Sequence, residues 1–143
     1  MSEPSARLDV VRQWVDHAER DLTNARHTLT MADEDCPFDT VCFHAQQCAE
    51  KYLKALLTLQ SVPFPKVHDL REIVALIPSG LLSRVDDLEL ERLTPYAVET
   101  RYPGFRDDFT REEAQEAVEA AERVRDGVLA LLPPGALPPR LGS

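Results

Sequence analysis

Glycine is scarce in this 143-residue chain, with five residues, and most of those stand at breaks between long stretches of Leu, Ala, Glu and Arg. Sustained alternation of apolar and polar residues is missing too, which leaves little material for a sheet. No apolar run approaches the roughly 18 to 20 residues that a membrane-spanning helix needs. Three cysteines, Cys36, Cys42 and Cys48, are an odd number without paired close spacing, so neither a disulfide framework nor a zinc site is expected. The N-terminal residues show no secretory pattern, and a cytoplasmic location is the expectation. A phosphate-cradling glycine loop and a Gly-x-Ser-x-Gly turn are absent, which disfavours nucleoside triphosphatases and serine hydrolases.

Basic charge is also in deficit. Sixteen Lys and Arg face twenty-five Asp and Glu, for a net charge of -9. Broad, sequence-blind grip on a phosphate backbone needs a basic face, so that class is excluded. The imbalance is steepest over residues 85–126, and an anion-binding surface is therefore expected in the first part of the chain or at a local arginine cluster.

What is present is helical spacing. Leu8, Val11, Val15, Ala18, Leu22, Ala25 and Leu29 predict a first helix opening after Pro4 and Ser5. Asp39 or Thr40 is placed to cap a second helix reaching about Gln60, with Ala45, Cys48, Ala49, Tyr52, Leu53, Leu56 and Leu59 on its buried side. Pro63 and Pro65 force an extended turn. A short helix over about 69–77 follows, capped by Asp69, and a fourth segment over Leu81 to Leu93 is interrupted at Thr94-Pro95. Thr110 and Glu113 form a capping box before a last helix over about 111–132. These elements predict an all-α, antiparallel up-and-down bundle of about five helices, one domain over residues 5–132, with 133–143 as a disordered tail.

Chemistry-bearing residues gather in three places. Steps of three and four on the second helix put His44, Gln47, Lys51 and Lys54 along one strip, a set of donors for a phosphate or base, or else a polar helix edge. His68 precedes Asp69 at the start of the third helix, where it either orients a ligand or locks the loop. Tyr96, Arg101, Tyr102, Phe105 and Arg106 put arginines among aromatics, a combination that stacks bases and pairs phosphates or packs a loop onto the bundle. Arg12 with His17 and Arg20 with His27 lie on the first helix; the first pair points about 140° apart and the second is about 10 Å apart along the axis, so both read as solvated surface.

The run from Phe43 to Leu57 (His44-Ala45-Gln46-Gln47, then Ala49-Glu50-Lys51, then Leu53-Lys54-Ala55-Leu56), followed by Lys66-Val67-His68-Asp69-Leu70 and Arg101-Tyr102-Pro103, resembles the HEPN family over roughly residues 8–130. The resemblance implies a helical bundle, frequently a homodimer, often encoded beside a minimal nucleotidyltransferase as a toxin and antitoxin pair. Many members are metal-independent ribonucleases with an Arg, four to six residues, then His near a late helix; others are non-catalytic and bind nucleotide or RNA. Here no histidine follows His68. The resemblance therefore implies a nucleotide- or RNA-interacting component of such a pair, without cofactor or metal, using His44, Gln47, Lys51, Lys54, His68, Tyr96, Arg101 and Tyr102. The alternatives are a ribonuclease with a non-standard site built on His44 or His68, and a pure dimerisation or docking module.

Overall fold

The computed structural model describes residues 3–77, 87–97 and 108–142, which hold helices, turns and short connecting segments. The elements are α1 (Glu3–Thr28), α2 (Phe38–Leu59), α3 (Leu70–Val74), α4 (Asp87–Leu93), a 3-10 turn at Thr94–Ala97, α5 (Arg111–Leu129), a second 3-10 turn at Pro134–Ala136 and the single-turn α6 (Pro139–Gly142). Residues 78–86 and 98–107, which hold the start of the expected fourth segment and the Arg101 loop, lie outside the described residues.

The expected apolar stripes form the core. Val11, Val15, Ala18, Leu22 and Ala25 of α1 are buried, as are Ala114, Ala117, Val118, Ala121, Val124 and Val128 of α5. Both stripes close on α2, which is buried at Val41, Cys42, Ala45, Cys48, Ala49 and the whole run Tyr52–Leu57. Small side chains at 45, 48 and 49 let neighbouring helices approach closely. Contacts along α1 give the topology: Arg7 meets Ser61, Glu19 meets Tyr52 and Arg125, and Arg26 meets Glu122. Numbers fall along α1 as they rise along α2 and α5, so both run antiparallel to α1, and the segment containing α3 and α4 is the crossover between them.

Helix ends differ from the sequence expectation in instructive ways. α1 begins at Glu3, which places Pro4 in the first turn, where a missing N–H costs nothing. α2 begins at Phe38, and Asp39 is already inside it, its carboxylate accepting from the Thr40 N–H at 2.9 Å rather than capping from outside. Asp69 does cap α3, accepting from the Arg71 N–H at 2.9 Å. Thr110 caps α5, accepting from the Glu113 N–H at 3.1 Å. The chain after 132 was expected to be disordered; instead Ala136 is fully buried and the Gly135 carbonyl accepts a hydrogen bond from Arg12. Leu137 and Leu141 join the core edge, so the prolines stiffen a segment with apolar contacts to make.

The C-terminal end of α1 is closed from another element. Arg111, first residue of α5, donates to the carbonyls of Leu29 and Met31, each at 2.6 Å, and to Asp33 at 2.5 Å, with its guanidinium 5.0 Å from the Phe38 ring centre. Leu29 and Met31 follow the last residue of α1, so the guanidinium satisfies carbonyls of the turn that leaves the helix. Arg111→Ala is expected to lower stability by about 2 kcal/mol. Asp33→Ala, which removes only the exposed partner, should cost under about 0.5 kcal/mol. Equal losses in urea denaturation of the two variants would show that the carbonyl contacts contribute nothing.

Candidate functional site

Three carboxylates are buried in the seams around α2, and each is answered there. Glu19 and Asp21 stand beside Ala18 and Leu22 on α1, so the register that buries the apolar stripe carries both acids inward; each is 8% exposed. Glu50, at 3%, lies on α2 itself. A carboxylate taken out of water costs several kcal/mol unless it is paired and hydrogen-bonded.

At the α1–α2 seam Asp21 is shared. One oxygen lies 2.8 Å from Nδ1 of His44 and the other accepts from the Lys51 ammonium at 2.6 Å. His44 and Lys51 are seven residues apart, about two turns, and so share a face of α2. Lys54 does not follow them, because ten residues from His44 is about 80° further round. Its ammonium instead binds Glu50 at 2.9 Å and lies 5.7 Å from the ring centres of both Trp14 and Phe64. Gln47 donates to the Gln46 side-chain oxygen at 2.6 Å. The four-residue strip read from the sequence is thus divided between two networks.

Glu50 organises the second network. Besides Lys54 it accepts from Gln46 at 3.0 Å and meets Nδ1 of the half-exposed His68 at 2.9 Å, while Gln46 also donates to the His68 carbonyl at 3.2 Å. Burial pushes the Glu50 carboxyl up, but the hydrogen bonds from Gln46, Lys54 and His68 outweigh it and hold the group below the usual carboxylate range. His68 thereby locks the proline-rich turn onto α2. In the third network Glu19 accepts from the Tyr52 hydroxyl and from Arg125 at 2.7 Å. Burial, then the neighbouring Glu19, drives the Tyr52 phenol far above its ordinary value, and burial does the same to the Cys48 thiol. Neither is a nucleophile at neutral pH.

Tyr96 is elsewhere. Its hydroxyl donates to Glu113 at 2.5 Å and its ring leans on Phe109 at 6.0 Å, facing a groove of about 450 Å³ between α4 and α5 that Arg92, Glu116, Glu119 and Arg123 also line. Arg101 and Tyr102 lie outside the described residues. Among the described residues no three His, Cys, Asp or Glu converge as metal ligands, and no helix is long and apolar enough to cross a membrane. Sequence reasoning passed over Trp14, Glu19, Asp21 and Arg125. The available signal was an acid at the border of the apolar stripe on α1, twice within three residues.

Comparison with known proteins agrees with this architecture. The model of the HEPN domain matches residues 11–131. The crystal structure of TT1696 from Thermus thermophilus is 29% identical, with a TM-score of 0.72, covering 85% of this chain and 98% of that one. The crystal structure of ST0689, an archaeal HEPN homologue, is 27% identical with a TM-score of 0.64, covering 85% of this chain and 96% of the other. Among curated proteins none matches.

The Glu50 network has a pH signature. A carboxyl held low in the fold contributes stability that is present above its unfolded value, roughly 4.3, and lost as pH falls through its folded value. Glu50→Gln leaves the buried Lys54 charge uncompensated and is expected to cost about 3 kcal/mol at pH 7. It should also flatten the acid limb of the stability profile by one carboxyl's share. Urea midpoints measured from pH 7 down to 3 test both; a variant with wild-type stability and wild-type acid steepness rules the network out as a structural clamp.

Proposed function

The chain belongs to the HEPN domain family, and from that premise we propose that it is a nucleotide- or RNA-interacting member that does not cleave RNA. It acts as a homodimer in the cytoplasm beside a minimal nucleotidyltransferase, in a toxin–antitoxin-like pair. One observation carries the reading. All four histidines precede residue 69, so Arg101 and the stretch after it have no histidine partner, and the two imidazoles on and next to α2 are each held by a buried carboxylate, Asp21 for His44 and Glu50 for His68. Held at Nδ1, each ring is oriented for a ligand at Nε2, and RNA cleavage or its absence is what separates a general-base role from binding there.

In this reading His44, Gln47 and Lys51 meet the ligand at the α1–α2 seam. Lys54 and His68 act through Glu50 by fixing α2 and the turn before α3. Arg101 and Tyr102 supply the charge and aromatic face of the later loop, with Tyr96 at its near side. The acidic balance of the chain suits a ligand of one or a few nucleotides rather than a duplex, because few phosphates can be neutralised.

Calorimetric titration with mononucleotides and a short single-stranded RNA is expected to give saturable binding, weakened about tenfold by His44→Ala and by Arg101→Ala. The same RNA incubated with the protein, with and without a chelator, should remain intact. Cleavage that disappears in His44→Ala or His68→Ala would overturn the proposal and install a ribonuclease with a non-standard site.

A further inference from the structure

Beside the Asp21 clamp, α1 and α2 leave an open groove of about 290 Å³ lined by Val10, Gln13, Trp14, His17 and Lys51. We propose that this groove binds a nucleobase against Trp14 and its attached phosphate at Lys51 and His17. The inference rests on the reading that the chain takes up nucleotide or RNA, and it adds Val10, Gln13 and Trp14, which the sequence pattern did not single out, to the Lys51 that it did. Pockets for drug-sized ligands run from roughly 300 Å³ upward, so a groove at the foot of that range suits a ligand about the size of one base.

Each wall has a role. Trp14 is half-buried and held before any ligand arrives, its ring packed edge-on to Phe64 at 6.2 Å and 65°, with the Lys54 ammonium 5.7 Å from its centre. A fixed indole loses little freedom when a base stacks on it. Val10, 43% exposed, is one of three large apolar side chains exposed among the described residues and gains from being covered. Lys51 gives one hydrogen to Asp21 at 2.6 Å, and an ammonium has three, so two remain for phosphate oxygens. His17, exposed, stands at the mouth. Gln13, exposed, offers both a donor and an acceptor to a base edge.

The acids nearby do not cancel this. Asp21 is already divided between His44 and Lys51, and Asp16 is bound to Arg20 at 2.9 Å. Gln13 and His17 also border the next groove along α1, where Arg12 and Arg20 stand, each already paired with an acid, Asp9 and Asp16. The larger groove between α4 and α5 carries Glu113, Glu116 and Glu119 against two arginines and repels the same ligand.

Trp14 is the only tryptophan, so its emission reports this groove alone. The protein is titrated with AMP, adenosine, ribose 5-phosphate and a six-residue oligoadenylate, following fluorescence and heat together. AMP should quench Trp14 saturably, with adenosine and ribose 5-phosphate each weaker. His17→Ala, at the groove mouth, should weaken AMP about three- to tenfold, and Trp14→Leu about tenfold by calorimetry. An oligoadenylate that binds at least tenfold tighter than AMP identifies the ligand as a strand residue; equal affinity identifies a free nucleotide. Heat of binding with unchanged Trp14 emission and no effect of His17→Ala overturns the groove and leaves the broader reading standing. No heat and no emission change with any probe overturns both.

Discussion

The bundle depends on the neutralisation of three buried carboxylates around one helix. Glu19, Asp21 and Glu50 are each met by groups that α2 supplies wholly or in part: Tyr52 for Glu19, His44 and Lys51 for Asp21, Gln46 and Lys54 for Glu50. Such pairs add little net stability over apolar packing, because desolvation offsets most of the attraction. Their effect is on alternatives. Sliding α1 along α2 by one turn would leave each acid of α1 buried without its partner, and a stripe of Val, Ala and Leu alone discriminates weakly between such registers. Arg125 and His68 extend the same constraint to α5 and to the turn before α3.

That constraint also decides what chemistry is left. The histidines, tyrosine and cysteine most reminiscent of catalysis are the ones engaged or silenced by burial: His44 and His68 on carboxylates, Tyr52 and Cys48 far above their ordinary ionisation range. The same clamps hold side chains at the outer edge of the α1–α2 seam. Lys51 is positioned by Asp21 from beneath, and Trp14 by Phe64 and Lys54. Side chains held in this way have little freedom left to lose, which would lower the entropic cost of meeting a ligand.

Much of the fold was legible because it follows from period and punctuation. The α1 and α5 stripes, the Asp69 cap, the Thr110 cap and the break at Thr94-Pro95 are local patterns, and the structure shows each of them. What escaped was nonlocal. The burial of Asp21 is invisible until α2 lies against α1, and although helix rotation alone turns Lys54 away from His44, which acid each lysine meets depends on the neighbouring elements. The ordered stretch after 132 looked like a proline-rich tail because its stabilising contacts, Arg12 to Gly135 and Ala136 in the core, are with residues far away in the chain, on other helices. The resemblance carried by His44 to Leu57 located the right helix, but the acids on α1 that give this run its geometry belong to no such run.

The central claim is that the α1–α2 seam, held in place by buried acids, is the face the chain presents to a ligand. Backbone amide NMR of the labelled protein during AMP addition tests it most directly. Shifts are expected at residues around 10–20 of α1 and 44–54 of α2 and nowhere else, with the Trp14 indole N–H among the largest. Shifts concentrated instead on residues 92–96 and 113–123, around the acidic groove between α4 and α5, would contradict it.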